Sequence, residues 1–167
     1  PDATVESYLR VIRFKTAKLF EASARLGAVL AEAPIEVEEA CAAYGRSLGT
    51  AFQLIDDLLD YDGDPGQLGK NVGDDLREGK PTLPLLLAME RASGTERTMI
   101  RHAIEHGEVH KLPEILTIVK RTGALDATRT GAGALAASRP ILRLVLGVLR
   151  DDATCPPGGA PVHEFVA

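Results

Sequence analysis

An all-α fold is predicted for this chain, on three observations. Valine, leucine and alanine recur at helical spacing through most of its 167 residues. No segment alternates apolar and polar residues as a half-buried strand does. Glycine and proline at Pro34, Gly63, Pro65, Gly66, Gly94, Gly107 and Gly123 punctuate the periodic stretches.

The elements follow in order. Thr4 to Glu32 reads as one long helix whose apolar stripe is Val5, Leu9, Ile12, Leu19, Leu26 and Leu30, with Pro34 breaking it. A second helix runs from about Glu36 to Tyr61 and ends before the loop "DGDPG". The polar segment "LGKNVGDDLREGKP" (68–81) reads as a loop holding at most a short helix. Pro81 to Ser93 reads as helix, since proline is tolerated in a first turn. Its stripe of Leu83, Leu85, Leu86, Leu87 and Met89 is ordinary packing. Gly94 stops that helix and Thr95 caps the next, which ends near Gly107. Pro113 to Arg121 is another helix, closed by Gly123. From about Gly131 the character changes: "GAGALAASRP" is small and loose, and "CPPGGAP" is read as disordered. The division is therefore 1–130, a helical bundle portion, and 131–167, a divergent, partly disordered tail. Short connections favour antiparallel neighbours.

Charge narrows the function. Eight acids and three bases between Asp56 and Lys80 account for the whole net charge of −5. The acidity thus belongs to one site, and a nucleic-acid surface is not expected. Cys41 and Cys155 cannot make a disulfide framework, so a reducing cytoplasm is the expected compartment. No apolar run is long enough for a transmembrane segment. Cys41, Tyr44 and Phe52 are read as core.

The densest acidic stretch is "FQLIDDLLDYDGD" (52–64). On a helical wheel at about 100° per residue, Gln53, Asp56, Asp57 and Asp60 fall within roughly 100° of arc. Leu48, Ala51, Phe52, Ile55, Leu58 and Leu59 occupy the other side, which is expected to pack. A solvated helix face usually mixes acids with bases, and this one has only acids. Like charges one turn apart repel, and more so beside a cavity, unless a cation intervenes. Carboxylates without histidine or cysteine suit Mg²⁺, which keeps waters and is shared with substrate phosphates. Lys15, Lys70 and Lys80 could supply the matching ammonium groups, which together suggest a bound diphosphate. His102, His106 and His110 are spaced by four, but Gly107 interrupts the ladder and they are read as surface or capping residues.

These stretches resemble the trans-isoprenyl diphosphate synthases. "FQLIDDLLD" (52–60) is similar to that family's second aspartate-rich motif, "GKNVGDDLREGKPTLPLL" (69–86) to the lysine-bearing segment after it, and "FKTAKLF" (14–20) to the upstream Lys-Thr helix. The wording resembles most the long-chain, octaprenyl type. The resemblance implies part of an isoprenoid-synthase-type helical bundle that elongates an allylic prenyl diphosphate with isopentenyl diphosphate. It implies Asp56, Asp57 and Asp60 as Mg²⁺ ligands, Asp56 foremost. Lys15, Lys70 and Lys80 would bind the diphosphate, and Thr16 and Gln53 would steady the cation. A homodimer, or pairing with a complete synthase subunit, is implied as well.

The first aspartate-rich motif of that family, D-D-x-x-D followed by an arginine pair, has no counterpart here; "DD" at 74–75 lies in the lysine segment and "RDD" at 150–152 in the tail. The expectation is a C-terminal portion, with little or no activity alone and a frameshifted or divergent end. The alternative is a non-catalytic fragment or regulatory subunit that pairs with a complete synthase and exposes a broad apolar face. Terpene cyclases carry an N-D-x-x-S-x-x-x-E-like second motif, which Asp56, Asp57 and Asp60 do not match.

Overall fold

In a computed structural model, residues 3–62 and 72–137 are described, and all their regular elements are helical. Thr4 starts α1 (Val5–Ile12) through a capping box with Ser7. A π turn (Arg13–Ala17) joins it directly to α2 (Lys18–Leu30). The helix expected over Thr4–Glu32 therefore exists but is not uniformly α. Glu32, at φ 51°, turns the chain through the left-handed region before Pro34 and α3 (Ile35–Asp62). At 28 residues, α3 is roughly 42 Å long at 1.5 Å per residue.

After residues 63–71 come α4 (Asp74–Arg77), α5 (Leu83–Arg91) and α6 (Gly94–His106). Pro81 lies outside α5, and Pro84 is the proline of its first turn. The cap of α6 is Ser93, paired with Glu96 in a capping box, so Gly94 is helical and Thr95 is not the cap. The signal S-x-x-E outweighs the expectation that Gly94 ends one helix and Thr95 begins the next. Gly107, at φ 61°, closes α6 as expected. A 3₁₀ turn (Val109–Lys111), α7 (Leu112–Arg121) and α8 (Ala124–Ala136) complete the described chain. The C-terminal carbonyls at Thr122 and Gly123 accept from the Arg91 guanidinium at 3.0 and 3.2 Å. Helix α8 covers 131–136, part of the segment read as loose; residues 138–167, with Cys155, lie outside the described residues.

Helix α3 is the axis. The α1–α2 pair lies along it, α8 packs on its other flank, and α5 bridges to α6 and α7. One core joins Leu58 and Tyr61 to Leu76, Leu85, Ile100, Ile115 and Val119. A second joins Tyr8 and Ile12 to Leu54, Leu83, Leu86 and Ala132. Burying these side chains supplies most of the stability, at about 1.5–3 kcal/mol each.

Two apolar faces depart from expectation. In α1–α2 the packed residues are Tyr8, Ile12, Ala17 and Ala28, while Leu19, Leu26 and Leu30 are 71%, 55% and 77% exposed. Gly45 and Gly49 of α3 let the α2 backbone come close, with Phe20 and Ala24 facing the glycines, while Leu19, Leu26 and Leu30 point away. In α3, Ala51, Leu54 and Leu58 are buried, but Leu48, Phe52, Ile55 and Leu59 form an exposed stripe. Phe52 lies against the Phe20 ring, at 5.5 Å between centroids. The acid side of α3 is the one that packs, because α1 and the segment from 72 to 82 lie against it. Cys41 and Tyr44 are half-buried.

The α2–α3 seam has a charged rivet. Glu21 is buried and accepts from Arg46 Nε at 2.9 Å and Lys18 Nζ at 2.8 Å. Arg46 first, then Lys18, hold its carboxyl down from 4.5 to about 2. The unfolded chain protonates this group near 4.5 and the folded chain near 2, so its stabilising contribution is full above that window and lost as pH falls through it. Glu21→Gln should lower stability at neutral pH and flatten the acid limb between about 4.5 and 2, read by urea unfolding across pH. Gly45 tests the seam sterically: an added Cβ would lie 2.8 Å from the Phe20 carbonyl carbon and 2.9 Å from Ala24 Cβ. Gly45→Ala gains about 1 kcal/mol of helix propensity. Overpacking against backbone costs about 1–3 kcal/mol. A lower urea midpoint with unchanged slope is the expected outcome.

Candidate active site

The last turns of α3 carry Asp56, Asp57, Asp60 and Asp62 and no base. Carboxylates at a helix C-terminus oppose its dipole, so each needs relief from elsewhere. Asp62 receives it from Arg129 of α8, at 2.6 Å. Asp60 accepts the backbone N–H groups of Asp74 (3.1 Å) and Asp75 (3.0 Å), the first turn of α4. Burial pushes its carboxyl up, those two donors pull it down, and the Asp75 and Asp74 charges push it up again. Asp57 is 3% exposed. Its Oδ2 accepts from the Tyr8 hydroxyl at 2.5 Å and its Oδ1 from Gln53 Nε2 at 2.7 Å. Burial raises its pKa, and the Tyr8 and Gln53 bonds oppose the rise. Tyr8 is itself pushed far above the ordinary phenol value by burial, then by the Asp57 charge. Asp56 is exposed.

A cleft of ≈ 280 Å³ opens over this network, lined by Tyr8, Ile12, Lys15, Gln53, Asp57 and Lys80 among others. The π turn brings Lys15 to its rim and Thr16 to Gln53, whose Oε1 accepts the Thr16 hydroxyl at 2.8 Å. A π turn accommodates an extra residue in one turn, and such turns recur at functional sites. Lys80 meets Glu78 at 2.6 Å and Asp75 at 3.1 Å, and these bonds raise its pKa, Glu78 foremost. Lys15, Thr16, Gln53, Asp57 and Lys80 are thus brought together, with Asp56 and Asp60 on the same helix. Lys70 lies outside the described residues. Sequence reasoning missed Tyr8, Asp75 and Glu78; only the i,i+4 spacing of Tyr8 and Ile12 marks the face Tyr8 shares.

The donor set suits a hard divalent cation: Asp57 lines the cleft, Asp56 is exposed on the same helix, and no histidine or cysteine lines it. Among the described residues, no three His, Cys, Asp or Glu side chains converge into a ready-made cage. Among the described residues the histidines form no metal site: His102 and His106 stack at 4.1 Å between centroids, and His102 Nδ1 lies 3.1 Å from Glu108. No described helix is long and apolar enough to cross a membrane.

A helical bundle whose central helix lines a lysine-rimmed cleft through Gln53 and Asp57 is the class of protein these features define. The family model of Polyprenyl synthetase matches residues 1–119. The chain belongs to that family. It is 56% identical over 133 residues to the octaprenyl diphosphate synthase of Escherichia coli (strain K12), covering 79% of this chain and 41% of that one. It is 37% identical over 125 residues to heptaprenyl diphosphate synthase component 2 of Geobacillus stearothermophilus, covering 75% and 38%. Among solved structures, a polyprenyl synthase from Caulobacter crescentus CB15, complexed with calcium and isoprenyl diphosphate, superposes with TM-score 0.78 and 41% identity over 88% of this chain and 44% of that one. The chain spans about two-fifths of the length of the curated relatives it matches.

Asp60 anchors α4 to α3 through both oxygens. Asp60→Ala leaves two backbone donors without that acceptor, at a cost of about 1–3 kcal/mol. Faster hydrogen exchange at the Asp74 and Asp75 amides, with α6 and α7 amides unchanged, is the expected result.

Proposed function

We propose that this chain is the diphosphate-gripping portion of a polyprenyl diphosphate synthase, a transferase that elongates an allylic prenyl diphosphate with isopentenyl diphosphate. The observation that carries this reading is the cleft itself. Lys15 and Lys80, from segments far apart in sequence, stand at one opening beside the aspartate face of α3. Asp56 is the foremost Mg²⁺ ligand, with Asp60 and Asp57 behind it. The metal, when bound, neutralises charge on the diphosphate. Lys15, Lys80 and Lys70 hold the phosphate oxygens; Lys80 does so while restrained by Asp75 and Glu78. Thr16 and Gln53 present dipoles to a developing allylic cation, and the apolar wall at Val11 and Ile12 excludes water from it. The cysteine pattern and the absence of a membrane-crossing helix among described residues support a cytoplasmic setting.

A second reading is favoured by the exposed stripe of Leu48, Phe52, Ile55 and Leu59. Four large apolar residues at helical spacing on the central helix suit a partner surface. On this reading the chain pairs with a complete synthase subunit or with its own copy. Similarity to a protein named as one component of a heptaprenyl synthase supports pairing.

Calorimetry with inorganic pyrophosphate, with and without Mg²⁺, tests the first reading. Mg²⁺-dependent binding that weakens at least about tenfold in Asp56→Asn is expected, the size of one lost charge-assisted contact. Binding indifferent to Mg²⁺ and to that substitution would overturn it. Elongation of labelled isopentenyl diphosphate should be slight for the chain alone, and co-purification with a complete synthase would select the second reading.

A further inference from the structure

We propose that Tyr8 is a positioning residue of this site, a fixed hydroxyl that sets the orientation of the Gln53 amide by way of Asp57. The inference rests on the diphosphate reading for its purpose, though not for its geometry. Tyr8 lies 49 positions before Asp57, on a different helix, and both are buried. Four side chains form one line: Tyr8 donates to Asp57 at 2.5 Å, Gln53 to Asp57 at 2.7 Å, and Thr16 to Gln53 at 2.8 Å.

The chemistry of the groups dictates the direction of each link. An ionised carboxylate only accepts, so the Gln53 NH₂ must face Asp57 and its carbonyl must turn to Thr16. Were the amide flipped, two acceptors would face one another. The orientation of Gln53 therefore depends on a carboxylate held in place, and Tyr8 is the donor holding its second oxygen. Asp57 has two oxygens: Tyr8 of α1 donates to one, and Gln53, one turn earlier on α3, donates to the other. With the hydroxyl removed, Asp57 Oδ2 sits in an enclosed place without its donor, and the carboxylate gains by turning away from Gln53. Tyr8 thus governs the two groups, Gln53 and Thr16, whose dipoles meet the reacting part of a substrate. The motif's carboxylates divide the labour accordingly. Asp56 faces outward, Asp57 inward to Tyr8, and Asp60 onto the backbone of α4.

The test is the ¹H–¹⁵N spectrum of the whole chain, with the Gln53 side-chain amide identified by its loss in Gln53→Ala. In Tyr8→Phe this amide should move toward the position of a free glutamine, and its hydrogen exchange should accelerate about tenfold, as expected for a lost hydrogen bond to a charged group. Ile115→Ala, which destabilises the other core, should leave the resonance in place; this separates positioning from a general loss of stability. Should Tyr8→Phe fail to fold, Asp57→Asn gives the same readout, because an amide at that position no longer fixes which end of Gln53 faces it. An unmoved, still protected Gln53 amide in the folded variant overturns the proposal, as does an equal shift in Ile115→Ala. If pyrophosphate fails to bind the unaltered chain, the diphosphate reading falls, and the Gln53 spectrum still decides the role of Tyr8.

Discussion

Three carboxylates within five positions of one helix repel each other, and much of the molecule answers that repulsion. Each receives a different treatment. Asp60 is spent on the first turn of α4, which fixes the segment leading to Lys80. Asp57 is enclosed and held between two donors. Asp56 stays at the surface, where an incoming cation can meet it. Burial opposes ionisation at Asp57 and Asp60, and these donors favour it.

The scaffold around that face is built from small residues on one side and large ones on the other. Gly45 and Gly49 let α2 approach α3 at backbone distance, and the Glu21–Arg46 pair locks the seam. That close approach carries the π turn, with Lys15 and Thr16, to the edge of the cleft. Helices α5 to α8 contribute little to the cleft directly; they clamp the C-terminal half of α3 through Leu58 and Tyr61.

Much of this was legible in the sequence, for identifiable reasons. Helices spaced by 3.6 residues and ended by Pro34, Gly107 and Gly123 declare themselves locally, and so does the spacing of Asp56, Asp57 and Asp60. What failed to show depends on partners distant in sequence. Periodicity finds the stripe of Leu48, Phe52, Ile55 and Leu59 but cannot tell whether anything lies over it. Tyr8 looks like any core aromatic until α1 is laid against α3. Glu21 looks like a surface acid until Arg46 arrives from the next helix. The capping pair Ser93 and Glu96 was readable, yet Gly94 and Thr95 beside it gave a competing signal of the same kind.

The π turn over Arg13–Ala17 makes chain length itself informative in this region. A regular helix advances about 100° per residue, so one extra residue housed in a widened turn bows the backbone outward there and leaves the flanks in ordinary geometry. Excising a single residue from this turn would close the bow into unbroken α-helix while barely altering charge or apolar content. The helix would survive such an edit, but the ledge from which Lys15 and Thr16 project would be gone.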